Sequence, residues 1–158
     1  MKTAAPDRSF ARGLRCLDEG RTIEALAYFE ASLRLEESAP NIARRARYLS
    51  YYGYSLALAL GRTKEGLSIC RKAADSEFFT PDILLNLARV QRLSKDRKGA
   101  WETLMRGLSI DPEHAGIKTE IRTMGLRRRP AIPFLKRSNP LNVAAGKMAV
   151  KPALKRRK

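Results

Sequence analysis

The chain has 158 residues and a formal net charge of +16, with 44% hydrophobic residues, two cysteines and one histidine. That length fits one domain with a packed core, while Cys16 and Cys70 lack the number and spacing of a disulfide framework or a zinc motif, which points to a reducing, cytoplasmic setting. The longest aliphatic run, residues 56–60, is far too short to cross a bilayer, and residues 1–5 do not read as a secretory leader.

Pro6 opens a first helix, where its missing N–H is not needed. Phe10, Leu14 and Leu17 share one face of it, and Gly20 supplies a left-handed stop. Thr22 is expected to cap a second helix whose stripe is Ile23, Leu26, Tyr28, Phe29 and Leu33. Ser38-Ala39-Pro40 breaks the chain. A longer helix follows, with Ile42, Ala46, Leu49, Gly53, Leu56 and Leu60 alternating at i+4 and i+3. Gly61 closes it, and Thr63 is expected to cap its partner, which carries Leu67, Ile69, Cys70, Ala73 and Ala74. Thr80-Pro81-Asp82 joins an N-cap, a first-turn proline and a first-turn acid. Ile83, Leu84, Leu87, Ala88 and Gln91 follow, then a turn at Ser94 to Asp96, then a stripe of Ala100, Trp101, Leu104 and Leu108. Asp111-Pro112-Glu113 reads as the start of a seventh helix over 112–124. Ile117, Ile121 and Met124 give that helix its apolar face, and Lys118, Thr119, Glu120 and Arg122 its outer, polar one. No strand alternation occurs anywhere.

A period underlies these elements. Gly61 and Lys95, Gly66 and Ala100, and Cys70 and Leu104 are each 34 residues apart, and Gly20 precedes Gly61 by 41. Such a period marks stacked helical hairpins, each burying its apolar side on the next. Ala25, Gly66 and Ala100 on the second helices, and Gly13, Gly53 and Ala88 on the first, are small enough for close helix approach.

Beyond Gly125 the composition shifts. Residues 127–158 hold eleven cations and no acid: Arg127, Arg128, Arg129, Lys136, Arg137, Lys147, Lys151, Lys155, Arg156, Arg157 and Lys158. The rest of the chain therefore carries only +5 of the +16. The prolines of residues 127–142 forbid a helix and favour an extended strap; residues 143–158 read as a disordered basic tail.

The third unit, with Asn86-Leu87-Ala88, Gln91, Ala100, Leu104, Gly107-Leu108 and Asp111-Pro112, resembles the tetratricopeptide repeat family. The first unit matches at Gly13, Gly20, Ala25, Phe29 and Leu33, and departs at Cys16, where the family usually has an aromatic. The second matches at Gly61 and Ala73, with Gly66 and Cys70 where alanine and an aromatic are commoner. The strap, residues 128–142, is similar to tails of small bacterial repeat proteins. The expected architecture is all-α: a solenoid of three helical hairpins and a capping helix over residues 6–126, then the strap and the tail.

The resemblance implies a concave groove lined by the first helix of each hairpin. On this chain that set is Phe10, Leu14 and Leu17; Tyr48, Tyr51 and Ser55; and Leu85, Arg89 and Arg92. It would suit a peptide or helix of a partner protein with apolar anchors and a carboxylate. Asn86 matches one position of the carboxylate-binding groove of some family members, but Phe10 and Leu14 occupy others, which argues against that type of clamp. Tyr51, Leu14 and Leu85 also read as inter-hairpin core. The alternative function lies in the tail, whose cations would neutralise phosphates of nucleic acid or an anionic membrane. With only Phe134 to stack, such contact would be salt-sensitive and sequence-blind. Catalysis is the weakest reading. His114 has no partner at metal-ligand spacing and is expected to be exposed; Cys70 reads as packing. No cofactor, metal or small-molecule substrate is expected.

Overall fold

In the computed structural model, residues 5–37, 41–77 and 79–125 are described, and among them there are seven helices and no strand. The helices are α1 (Ala5–Asp18), α2 (Thr22–Glu36), α3 (Ile42–Leu60), α4 (Thr63–Ser76), α5 (Pro81–Leu93), α6 (Arg97–Ile110) and α7 (Ala115–Met124). The chain divides into two units, Met1–Met124 and Gly125–Lys158. The strap and the tail lie outside the described residues.

Helices α1 and α2, α3 and α4, and α5 and α6 pair as hairpins; α3 also packs on α2 and α5, and α7 covers α5 and α6. The hairpin turns share one backbone solution. Gly20, Gly61 and Lys95 all have positive φ, at 77°, 66° and 68°, and each ends the first helix of its pair. Thr22 and Thr63 do not cap. Each is the first residue of its helix, after Arg21 and Arg62, because the turn closes within two residues of the left-handed stop.

The small residues lie where the helices approach. Ala25, Ala100 and Ala88 are buried, as are Gly13, Gly53 and Gly66. A Cβ on Gly66 would lie 2.4 Å from the carbonyl oxygen of Gly53, and one on Gly13 would lie 2.6 Å from the Phe29 ring. Phe29, Cys70 and Leu104, one turn further on, have no exposed surface. Dense packing of this kind leaves no room for an added methyl.

The core falls into three clusters, one per hairpin boundary. Phe10, Cys16, Ala25, Phe29 and Tyr48 form the first; Ile83, Leu84, Leu87 and Val90 meet Ala46, Cys70 and Ala73 in the second; Leu85, Leu104, Ile117 and Met124 form the third. Several outward residues differ from expectation. Ile23 is 68% exposed and Ile42 76%. On α2 the buried face is Ala25, Phe29, Ser32 and Glu36, and Ile23 projects away from it. Leu60 and Trp101 likewise point outward. Their spacing is helical, but the buried stripe is centred elsewhere, on the small residues.

The capping helix departs from expectation too. Asp111 closes α6, and its Oδ1 accepts from the Glu113 amide at 3.0 Å. The start of α7 is fixed by His114, whose Nδ1 accepts from the Ile117 amide at 3.2 Å. Glu120 is buried instead of forming part of an outer polar face.

Candidate functional site

The first helices form one continuous face, linked side chain by side chain. On α1, Asp7 accepts a hydrogen bond from the Tyr48 hydroxyl of α3 at 2.5 Å. Phe10 lies 4.7 Å from the Tyr48 ring and 5.2 Å, edge-on, from Tyr51. Phe29 of α2 completes the cluster, 5.4 Å from Phe10 and 5.5 Å from Tyr51. Such pairs add about 0.5–1.5 kcal/mol each beyond area burial, so the face is stiff where α1 meets α3. Arg47 lies over the outer side of Phe10, 5.0 Å from its centroid.

Between α3 and α5, Asn86 donates to Ser50 Oγ at 3.2 Å, and Arg89 lies 5.2 Å from the Tyr54 centroid. Between α5 and α7, Glu120 accepts from Arg92 at 2.6 Å and from Arg89 at 3.3 Å. His114 Nε2 meets Asp82 Oδ1 at 3.2 Å. His114 is thus half-buried and tied to two helices, not exposed.

The nine residues of the expected groove separate into two groups. Phe10, Tyr48, Ser55 and Leu85 are buried. Phe10 and Tyr48 belong to the aromatic cluster, and Leu85 to the core under α7, where a Cβ on Gly116 would meet it at 2.8 Å. They support the face and offer it little surface. Leu14, Leu17 and Tyr51 are half-buried around the first cluster. Arg89 and Arg92 retain 26% and 40% of their side-chain surface, yet both are paired to Glu120.

Charges surround Tyr51. Burial pushes its hydroxyl up to about 12; Asp82 and Asp18 raise it as well, while Arg47 and Arg89 pull it down. Tyr51 is therefore neutral at physiological pH and acts as a hydrogen-bond donor and apolar ring. Burial likewise pushes the Cys70 thiol up to about 12, and its Sγ donates to the Ser50 carbonyl at 3.4 Å. A neutral, buried thiol is packing and not a nucleophile. Among the described residues no group of three or more His, Cys, Asp or Glu could hold a metal, and no helix is long and apolar enough to cross a membrane.

Sequence reasoning passed over Asp7 and Arg47, read Asp82 only as a first-turn acid and placed Glu120 on an outer polar face. Each is a single polar residue on a helix, and only the neighbouring hairpin gives it a role. The i, i+3 spacing of Arg89 and Arg92 was the one available signal, since it sets two guanidiniums on one face.

No family model and no curated protein matches the sequence. Among solved structures, the fold is similar to the Arabidopsis OM64 TPR domain, with a TM-score of 0.58 and 14% identity over 76% of this chain and 93% of that one. It is also similar to YrrB, described as a TPR protein with an unusual peptide-binding site, with a TM-score of 0.55 and 19% identity. That match covers 77% of this chain and 59% of the YrrB chain. Three hairpins with a common left-handed turn, small residues at each close approach and a covering seventh helix have one architecture in common with these proteins: the chain has the tetratricopeptide-repeat fold.

Proposed function

We propose that this chain is a non-catalytic protein-interaction module, and that a peptide or helix of a partner protein binds along the face of α1, α3 and α5. One observation carries the reading. Two guanidiniums, Arg89 and Arg92, share a single carboxylate, Glu120, and Arg89 lies over the half-buried ring of Tyr54, one turn along α3 from Tyr51. One positive charge is left unbalanced next to an aromatic anchor. A partner carboxylate would take that charge, and apolar side chains would lie against Tyr51, Leu14 and Leu17. Tyrosine and arginine are the residue types that carry most binding energy at interfaces. The unusual peptide-binding site described for YrrB agrees with this class of ligand.

The test is selection of binders from a random peptide library with the full chain. The expected binders pair an apolar residue with a nearby Asp, Glu or free C-terminus. Tyr51→Ala combined with Arg89→Gln should weaken the selected peptides by at least about tenfold, with the melting temperature followed as a control on folding. Glutamine is used because a glutamate at position 89 would oppose Glu120. Removing residues 143–158 should leave peptide affinity unchanged. Loss of all binding on that truncation, with Tyr51→Ala silent, would transfer the function to the basic tail.

A further inference from the structure

We propose that the outward side of the first hairpin is a second docking surface, built on Arg8, Arg12 and Arg15, for an acidic amphipathic helix of a partner protein. The three arginines recur at i, i+4 and i+7 on α1, on the side opposite Phe10 and Gly13, and all three are exposed. Their axial spacing is about 6 Å and about 4.5 Å at 1.5 Å per residue. Among the described residues none of the three has a hydrogen bond or ion pair. Nearby arginines are engaged: Arg21 pairs with Glu19 and Glu24, Arg34 with Glu30, and Arg45 with Glu36. Like charges one turn apart repel, so this row is an unbalanced field.

Two clefts run along the seam between α1 and α2 beside that row. One, of about 230 Å³, lies between Arg8, Arg12 and Leu35; the other, of about 270 Å³, is lined by Arg12, Arg15, Cys16 and Tyr28 and by Glu19, whose charge Arg21 already takes. Arg12 stands between them. The first cleft sets its arginines beside the apolar side chains of Ala5 and Leu35, and the second sets them beside Tyr28 and Cys16, with the paired Glu19 and Arg21 also in its lining. A helix with glutamates at i, i+4 and i+7 repeats the arginine spacing along its own axis, and leucines on the same face would enter the clefts. A phosphodiester chain would use the arginines and leave the clefts empty. A second copy of this chain is disfavoured by its charge of +16. The other end of the solenoid shows the mode in miniature: α7 lies over α5 and α6 with Ile117 buried and Glu120 on two arginines.

The probe is a synthetic helical peptide with glutamates at i, i+4 and i+7 and leucines on the same face. It is titrated into full-length, isotope-labelled protein while backbone amide shifts are followed by NMR, so that contact with the basic tail is seen separately. Shifts are expected over residues 8–16 and 28–35. Arg12→Gln with Arg15→Gln should weaken binding at these amides by about tenfold, and lysine at both positions should restore most of it. The same peptide with glutamine for glutamate should fail to shift them on the unaltered protein, a comparison that needs no variant to fold. Shifts confined to Tyr51, Arg89 and Arg92 or to residues beyond 125 would overturn the proposal. So would unchanged affinity in the double glutamine variant, or equal shifts at residues 8–16 from an oligouridylate.

Discussion

Glu120 shows how one side chain acquires a role from its neighbours. Its carboxylate is almost wholly buried, and two guanidiniums from α5 balance its charge. Glu120→Gln keeps the shape and removes the charge, leaving Arg89 and Arg92 uncompensated. The expected loss is about 1–3 kcal/mol of stability, read from urea unfolding; an unchanged midpoint would show that solvent already screens the two arginines. Peptide affinity for an acidic ligand should rise in the same variant, because the competing internal carboxylate is gone. His114 is a second such residue. One neutral tautomer, with the proton on Nε2, donates to Asp82 and leaves Nδ1 to accept from Ile117. Nothing around His114 in the sequence signals this, since Asp111-Pro112-Glu113 is the stronger local start signal and is spent on the turn.

At the scale of the element, the hairpin turns and the helix contacts make opposite demands on glycine. Gly20 and Gly61 sit in the left-handed region with open space around them. Lys95 holds the equivalent place with φ 68°. A side chain there is strained, so Lys95→Gly should raise stability by about 1 kcal/mol, seen as an upward shift in thermal midpoint. Gly66 is the reverse case. Alanine would improve helix propensity by about 1 kcal/mol, but its Cβ would strike the Gly53 carbonyl oxygen. Gly66→Ala should therefore destabilise, by about 1–3 kcal/mol. A stabilised Gly66→Ala protein would show that α3 and α4 separate at little expense. The 34-residue offset between Gly61 and Lys95 was legible because Gly66–Ala100 and Cys70–Leu104 keep it, and the shared positive φ shows that a lysine stands where the other turns have glycine. The exposed Ile23, Ile42 and Trp101 were not legible as exposed, since a local stripe cannot tell which of two apolar faces meets a neighbour.

For the whole repeat unit, buried acids of the hydroxyl and thiol type set an alkaline limit. Burial raises Cys70 from 9.0 and Tyr51 from 10.0, each to about 12, and raises Tyr48 and Tyr54 as well. The native state then holds protons that the unfolded chain has released. Stability from these groups is complete below about pH 9 and falls as pH rises towards 12, by at most about 1.4 kcal/mol per pH unit per group. Urea midpoints should be lower at about pH 11 than at about pH 8, and Cys70→Ala should reduce the drop. Equal midpoints would mean that these side chains ionise in the folded protein.

The sequence by itself determined the helices, their pairing into hairpins and the places of closest approach. Those depend on φ, on side-chain size and on a period, all local quantities. Only the tertiary structure decided which apolar stripe faces inward, why Phe10, Tyr48, Ser55 and Leu85 are buried, and how Glu120 and His114 fasten the last helix. Each of those outcomes is a contact between residues far apart in the chain, and burial depends on what stands opposite a side chain, which no window along one helix contains.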